Sequence, residues 1–276
     1  MRSPALWAMV CLIAGSAVWL GFRLSGTPNV PAATVAAALA SWTGYAALLT
    51  AVGVKLARRV RPPAWAAVLA TLWGGTAAAA FAELIASATR DRIADALGPS
   101  GQAWTSALAA PLPEEVVKAV GVVLLMTAAT PALRNPLGGM TLGSLVGIGF
   151  NAAEGLAYSV SEMARSGSWE PLWSDLLLRG FLTGLVTHAG LSAIVGAGVG
   201  YFFGAVDAAW MRRSGVLVGL LVAAVVLHTL IDTPLLDEWS LGGVIVKQIP
   251  VAVAVWVFRG QARSEYLRLQ RLERRL

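Results

Sequence analysis

The chain has 276 residues, of which 57% are hydrophobic and only 13% are charged, and its mean hydropathy is +0.69. Apolar runs recur along its whole length between short polar breaks, a pattern that excludes a soluble globular domain and indicates a polytopic membrane protein. The net charge is +6, but no nucleic-acid-binding motif accompanies the basic residues, so nucleic acid is not expected as a partner. The single cysteine, Cys11, excludes an internal disulfide and a cysteine-based zinc cluster.

The apolar runs predict an all-α fold, because backbone groups in lipid are satisfied only in helices or closed barrels, and these runs lack the alternation of barrel strands. The first run has no convincing signal-peptide cleavage site, so we expect it to be a helix of the fold. About eight transmembrane helices are predicted, at 5–22, 33–56, 64–87, 104–129, 139–161, 180–204, 215–232 and 241–258. Turns are expected at "RRVRPP", "RNPLGG" and "RRSG".

The distribution of basic residues predicts the orientation in the membrane. Fourteen of the 21 Lys and Arg residues fall on one side, namely Arg2, Lys55, Arg58, Arg59, Arg61, Arg134, Arg212, Arg213, Arg259, Arg263, Arg268, Arg271, Arg274 and Arg275. Because Lys and Arg in short loops favour the cytoplasmic side, both termini are predicted to be cytoplasmic. We expect one integral-membrane domain over 1–276, with its motifs within about 104–235. The basic tail, about 259–276, is expected to be an amphipathic helix on anionic lipid or a solvated tail.

Several ionisable side chains lie within the predicted spans, where each costs about 2.5 to 3.5 kcal/mol near the centre of the bilayer. They are Glu83, Glu114, Glu115, Lys118, Glu154, His188, His228, Asp232 and Lys247. So many charges require partners or a function. Glu83 stands alone, so a structural or snorkelling role is expected for it. Lys247 has three possible roles: it could snorkel, pair with an acid of the cavity or hold a substrate carbonyl.

Most of these groups are predicted to lie at one depth in the membrane. They are Glu114, Glu115 and His188 in the outer halves of spans four and six, and Glu154, His228 and Asp232 near the outer ends of spans five and seven. Four separate helices thus bring polar groups to the same level. This convergence predicts one cavity that opens to the extracytoplasmic side.

Local spacing supports the cavity, because residues four apart share a helix face. Such pairs are Glu114 and Lys118, Glu154 and Tyr158, His188 and Ser192, and His228 and Asp232. Pro111 and Pro113 predict that a helix begins just before Glu114, so that residues 104–110 form either a separate half-helix or a kinked entry. The glutamates would then lie in the first turn, where the helix dipole favours carboxylates.

Carboxylates and imidazoles in one cavity can activate water. A glutamate can accept a proton from water, and His and carboxylate ligands can hold a zinc ion that lowers the pKa of bound water to about 7. The sequence has no "HExxH", which excludes ordinary zincin geometry. It has no "GxSxG", and Cys11 lies away from the predicted cavity, so a serine or cysteine protease is not expected. A structural alternative remains, in which the double glutamate forms an ion pair with Lys118 and the histidines are buried hydrogen-bonding groups.

Four motifs over about residues 110–235 resemble those of PrsW-type intramembrane proteases. They are "PEEVVKAV", "GFNAAEGLAY", "THAGLSA" and "HTLIDTP". The resemblance extends distantly to the CAAX-prenyl-protease and bacteriocin-processing superfamily, in which the second motif usually ends in His where this chain has Glu154. In PrsW-like proteins that glutamate is normally followed by Asn, whereas Gly155 follows it here.

The resemblance implies hydrolysis of a peptide bond in or beside the cell membrane. PrsW is associated with the first cleavage of a membrane-spanning anti-sigma factor on its outer side, so a single-span membrane protein is the implied substrate. By motif, Glu114 and Glu115 would be the catalytic pair and His188 a third essential residue. From the chemistry of the residues, we expect Glu114 to be the base. Glu154, His188 and His228 are expected to be polarising groups or ligands of a divalent metal such as zinc. Asp232 is expected to orient His228, and Lys118 is a further supporting residue.

Two other functions are compatible with the sequence. A proton- or ion-coupled transporter also places acids and histidines at mid-membrane, although no inverted repeat is present. A catalytically inactive scaffold of the same fold is the second alternative. The lipid bilayer is an expected partner, and the sequence does not define the oligomeric state.

Overall fold

The computed structural model of the protein describes residues 3–26, 30–128 and 130–273. Within these ranges the chain is almost entirely helical and contains no β-strand, which confirms the all-α prediction. The α-helices are α1 (Pro4–Ser25), α2 (Ala32–Leu56), α3 (Ala64–Trp73), α4 (Ala79–Leu97), α5 (Thr105–Ala109), α6 (Pro111–Ala128), α7 (Pro136–Ser166), α8 (Glu170–Asp175), α9 (His188–Gly204), α10 (Trp210–Asp232) and α11 (Leu241–Glu273). Arg2, Arg274 and Arg275, which contributed to the predicted orientation, lie outside the described residues.

Two π-helical segments interrupt this pattern. Gly74–Ala78 joins α3 to α4, and Leu176–Gly184 follows α8 on the way to α9. Short 3-10 turns lie at Pro99–Trp104, Pro131–Leu133 and Asp237–Trp239. π-Helical turns are rare and are frequently found at functional sites, so the two segments are candidates for positions that orient functional side chains.

Six helical stretches of the described chain are long and apolar enough to cross a membrane. They are Pro4–Ser25, Ala32–Leu56, Ala64–Leu97, Glu170–Gly204, Trp210–Asp232 and Leu241–Leu272. The helices α6 and α7 do not belong to this group, because α6 carries three charges and α7 is rich in glycine. Both are packed inside the bundle, where many of their side chains are buried. A helix that other helices shield from lipid does not need an apolar surface all round.

The helices α7 and α9 form the centre of the bundle and pack backbone against backbone. A Cβ atom added at Gly143 would lie 2.0 Å from the carbonyl oxygen of Ser192, and one added at Gly139 would lie 1.9 Å from that of Gly196. Small residues at a crossing allow this close approach in membrane proteins. The contact fixes the relative position of the two helices that carry Glu154 and His188.

The π-helical segment Leu176–Gly184 is attached to the bundle by a buried hydrogen-bond network. The hydroxyl of Tyr45 donates to the carbonyl oxygen of Gly180 at 2.8 Å. Asn151 Nδ2 in turn donates to the hydroxyl oxygen of Tyr45 at 2.9 Å. A short turn at residues 185–187 connects the segment to His188, the first residue of α9, so this network helps to place that histidine.

The expected turns agree with the structure in part. Residues 57–63, which include "RRVRPP", separate α2 from α3, and α5 is a separate short helix before α6, as predicted. The turn at "RRSG" is wrong, since these residues lie within α10 and the chain turns earlier, at 205–209. Arg213 donates to the carbonyl oxygen of Phe202 in α9 at 3.2 Å, so this arginine is accommodated without a break in α10.

The sixth predicted span is interrupted where a continuous helix was expected, because residues 185–187 turn between the π-helical segment and α9. The tail also differs from a separate surface helix, since residues 259–273 continue α11 without a break. Ala262 is buried in a cluster with Met140, Ala193 and Ala197. The proximal tail therefore packs against the end of the bundle.

Substituting Gly143 by alanine should destabilise the protein, because the new methyl group has no space against the backbone of α9. Overpacking of this kind costs about 1 to 3 kcal/mol. Gly219→Ala is the matched control, since a Cβ there meets nothing within 4 Å. Thermal unfolding in detergent should show a lower midpoint for Gly143→Ala only, and equal midpoints for both variants would contradict the close packing of α7 on α9.

Candidate active site

The polar residues of the four motif helices meet in one cavity of about 1600 Å³. Its lining includes Glu114 of α6, Glu154 of α7, His188 of α9, and His228 and Asp232 of α10. The convergence expected from their common depth in the sequence is therefore present. Glu115 and Lys118 lie behind this lining and are almost completely buried, with exposures of 0% and 1%.

The buried ammonium group of Lys118 connects the two sides of the site. Its Nζ donates to Glu115 Oε1 at 2.6 Å and to Glu114 Oε2 at 3.4 Å. It also lies 3.3 Å from His188 Nδ1 and 4.2 Å from the ring centroid of Phe150. One cation thus neutralises two carboxylates on its own helix and contacts a histidine on another.

The orientation of His228 is set by Glu115. His228 Nδ1 lies 3.0 Å from Glu115 Oε1, and a carboxylate only accepts hydrogen bonds, so Nδ1 carries the proton. In the neutral ring, the Nε2 lone pair then faces Glu114 Oε2 at 3.8 Å and Asp232 Oδ2 at 3.7 Å. These distances are too long for hydrogen bonds. Three electron-pair donors that face one another in this way favour a shared cation.

The orientation of His188 is set by Lys118. Because the ammonium group donates to Nδ1, Nε2 carries the proton and donates to Glu154 Oε2 at 2.8 Å. The Glu154 side chain is 31% exposed, whereas that of Glu114 is 9% exposed. Glu154 is therefore the more accessible of the two glutamates from the cavity.

The site contains a group of residues that could hold a metal ion. Glu114, His188 and His228 each present one ligand atom, and these atoms lie within 4.8 Å of one another. Two imidazoles and one carboxylate are a donor set that zinc uses in catalytic sites, so the residues fit such an ion once His188 gives up the hydrogen bond at one of its ring nitrogens. The sequence analysis had paired the two histidines with Glu154 instead. Glu154 lies beside this group, in contact with His188.

Two details of the site differ from the sequence-based picture. Ser192 was expected to be the partner of His188, but its Oγ is buried and forms no hydrogen bond within the described chain. Charged partners on α6 and α7 occupy both ring nitrogens of that histidine instead. Lys247 does not join the cluster, since its Nζ donates to the carbonyl oxygen of Thr233 at 2.8 Å and to Asp237 Oδ1 at 2.9 Å.

Phe150 is a site residue whose position the sequence analysis did not interpret. Its ring lies beneath Lys118 and packs against His188 with a centroid separation of 5.2 Å. The signal was present in the second motif, where Phe150 precedes Glu154 by four residues and so shares its helix face. The ring therefore contacts both Lys118 and His188.

Over residues 62–259 the chain matches the model of a family described as PrsW family intramembrane metalloprotease. The chain belongs to this family. The matched region runs from the start of α3 into α11 and contains all four motif helices. No curated protein and no solved structure shows significant similarity to the chain. Membership in the PrsW family makes it an integral membrane protein of a protease family, which favours a peptidase over a transporter.

Replacing Lys118 by methionine should strongly destabilise this PrsW family protein, because Glu114 and Glu115 would be buried close together without their cation. Removing one partner of a buried ion pair costs about 3 to 5 kcal/mol. Arg165→Met is the control, since its pair with Glu162 is exposed and should contribute about 1 kcal/mol or less. Unfolding curves in detergent would compare the two, and a Lys118→Met protein as stable as the control would show that the acids are held without the ammonium group.

Proposed function

We propose that this PrsW family member is an intramembrane endopeptidase that cleaves a single-span membrane protein near the extracytoplasmic side. The observation that carries the proposal is the convergence of Glu114, Glu154, His188 and His228 in one cavity of a metalloprotease-family protein. An anti-sigma factor is a candidate substrate, through the resemblance of the motifs. The protein would reside in the cell membrane.

The proposed topology has eight spans, formed by the six apolar stretches together with α6 and α7. The excess of Lys and Arg on one side favours cytoplasmic termini. With that orientation, the ends of α1, α4, α7 and α10 lie on the extracytoplasmic side. The cavity opens at this end, so a substrate would be cut there.

The proposed ligands of a divalent ion are Glu114, His188 and His228. When bound, zinc would act as a Lewis acid and lower the pKa of bound water to about 7. Glu115 would keep Nδ1 of His228 protonated and leave its Nε2 free as a donor atom. A carboxylate that orients a ligating imidazole in this way is a common feature of metal sites.

Glu154 is the proposed general base. Its carboxylate is exposed to the cavity and lies 2.8 Å from His188 Nε2, next to the ligand group without being part of it. As the oxygen of water attacks the carbonyl carbon, Glu154 would accept one proton from it. The same proton would then pass to the amide nitrogen as the carbon–nitrogen bond breaks. The sequence-based assignment gives the opposite roles, with Glu114 as the base and Glu154 as a ligand.

Two glutamine variants distinguish these assignments. Glu154→Gln should retain the metal and lose about 10² to 10⁴ in cleavage rate, because the base is gone. Glu114→Gln should lose both metal and activity, whereas Glu83→Gln should be nearly silent because the ion pairs of Glu83 with Arg23 and Arg90 are exposed. The measurements are cleavage of a panel of single-span substrates in proteoliposomes and elemental analysis of each variant. If Glu114→Gln kept the metal and Glu154→Gln lost it, the sequence-based assignment would stand.

Removing the metal should abolish cleavage, and adding zinc back should restore it. His228→Ala should bind less metal than the unsubstituted protein, because it lacks one ligand. The metal content of each preparation, measured by elemental analysis, and its cleavage rate check both expectations. Full activity in a preparation without stoichiometric metal would remove the ion from the mechanism, and a folded, metal-loaded protein that cleaves no single-span substrate would favour the inactive scaffold.

A further inference from the structure

Gln248 of α11 is a polar cavity residue that belongs to none of the four motifs. It follows Leu241 and Val244 at spacings of seven and four residues, so the three share a helix face, and all three line the cavity. The Gln248 side chain is 8% exposed and is therefore largely enclosed by protein. A polar side chain this buried normally has hydrogen-bond partners for its polar atoms.

Only one half of the Gln248 amide has such a partner. The hydroxyl of Thr187, which is also buried, donates to Gln248 Oε1 at 2.8 Å. Nε2 of the same amide forms no hydrogen bond with any described residue. It is also absent from the unpaired atoms that are sealed inside the protein, such as Thr105 Oγ1 and Ser192 Oγ. Nε2 therefore keeps contact with the cavity and has N–H groups available for a ligand.

The amide is held next to the group of residues that could bind a metal ion. Thr187, its partner, directly precedes His188 in the chain. The helices α9 and α11 are in close contact here, since a Cβ atom added at Gly190 would lie 3.5 Å from Val251 Cγ1. Val251 follows Gln248 by three residues and is fully buried. Gln248 thus lies on a packed helix, which gives its amide a defined position.

The charged residues of the site offer no free hydrogen-bond donor to a substrate. Glu154 and Asp232 accept hydrogen bonds as carboxylates. The three N–H donors of Lys118 already face two glutamates and a histidine. Lys247, for which a contact with a substrate carbonyl was one of the expected roles, is engaged with a backbone carbonyl and with Asp237. Its neighbour Gln248 has the free donor instead.

We propose that Gln248 is a catalytic residue, which donates a hydrogen bond from Nε2 to the carbonyl oxygen of the peptide bond that is cut. The inference rests on the proposed peptidase function and adds a group that acts on the oxygen of the substrate. Thr187 is its positioning residue, because the hydroxyl holds Oε1 and leaves the NH₂ group to the cavity. Amide side chains are among the donors that stabilise oxyanions in acyl-transfer enzymes.

The chemical step explains why one hydrogen bond affects the rate. When the oxygen of water bonds to the carbonyl carbon, the π electron pair of the carbonyl group moves onto its oxygen, which becomes negatively charged. A hydrogen bond to this oxyanion is stronger than one to the neutral carbonyl, so it lowers the barrier. The carbonyl then re-forms as the carbon–nitrogen bond breaks, and the nitrogen takes the proton held by Glu154. Gln248 neither gains nor loses a proton.

Gln248→Met tests the proposal, because methionine has a similar length and no N–H donor. In proteoliposomes with a single-span substrate, kcat should fall about 10²-fold, as expected for the loss of one oxyanion donor. KM and metal content should stay unchanged, because the oxyanion exists only after the attack of water. Gln248→Glu keeps an oxygen for the Thr187 hydroxyl and should show the same fall. Gln261→Met, at an exposed position of α11 outside the cavity, is the matched control with full activity.

Binding of a phosphinate peptide is the second measurement, since its tetrahedral, negatively charged group resembles the oxyanion. Gln248→Met should bind it about 10²-fold more weakly than the unsubstituted protein and bind the uncleaved substrate equally well. A purely structural role for Gln248 would not produce this difference. Thr187→Val should weaken phosphinate binding in the same direction by a smaller factor, because the amide remains but loses its orientation.

Several results would overturn the proposal. An unchanged kcat in Gln248→Met would remove the amide from the mechanism and leave the peptidase function intact. A fall in kcat that accompanies loss of metal or of folded protein in both Gln248 variants would assign the residue a structural role. Weaker phosphinate binding in Tyr158→Phe alone would assign the oxyanion to that hydroxyl, which also lines the cavity. Absence of cleavage by the unsubstituted protein would overturn the peptidase function, and this proposal with it.

Discussion

The ammonium group of Lys118 is the interaction on which the site depends. It is buried inside a membrane protein, and it neutralises the carboxylates of Glu114 and Glu115 one helical turn before it. Two carboxylates on a buried helix are costly unless a cation neutralises them, and Lys118 supplies that cation from the same helix. The spacing EExxK follows from this requirement, because residues three and four apart lie on one helix face. The same cation reaches across to His188, so α6 and α9 are connected through it.

The two histidines of the cavity are held in different ways. Their rings meet edge to face with centroids 5.3 Å apart. His228 donates a hydrogen bond from Nδ1 to Glu115, and its Nε2 lone pair faces the cavity. His188 accepts a hydrogen bond from Lys118 at Nδ1 and donates one from Nε2 to Glu154. A metal ion could therefore be bound directly by the Nε2 lone pair of His228, whereas His188 would first have to lose one of its hydrogen bonds. The acids beside the two rings therefore differ in role: Glu115 orients His228, whereas Glu154 accepts a hydrogen bond from His188.

The sequence predicted the helical class and the meeting of the polar groups well, because hydropathy and depth in the membrane are properties of each helix alone. It predicted partners less well. Ser192 shares a helix face with His188, yet the charged groups of α6 and α7 compete for that ring, and such a competition depends on how helices cross. The break before His188 and the helix through "RRSG" were also missed, since a π-helical turn leaves little trace in composition and an arginine pair does not by itself end a helix.

The π-helical segment Leu176–Gly184 has a consequence for how this protein tolerates change. Each residue of an α-helix rotates the helix by about 100° around its axis. A π-helical turn contains more residues than an α-helical turn, so it changes the direction in which the following side chains point. The angular relation between Arg179 at the entrance and His188 in the site is therefore set by the number of residues between them. Leu177 in this stretch is exposed and does not line the cavity, so its identity can vary. Loss of a single residue, which would return the stretch to ordinary α-helix, would turn the histidine away from the cavity, so evolution in this stretch is expected to proceed by replacement and to conserve length.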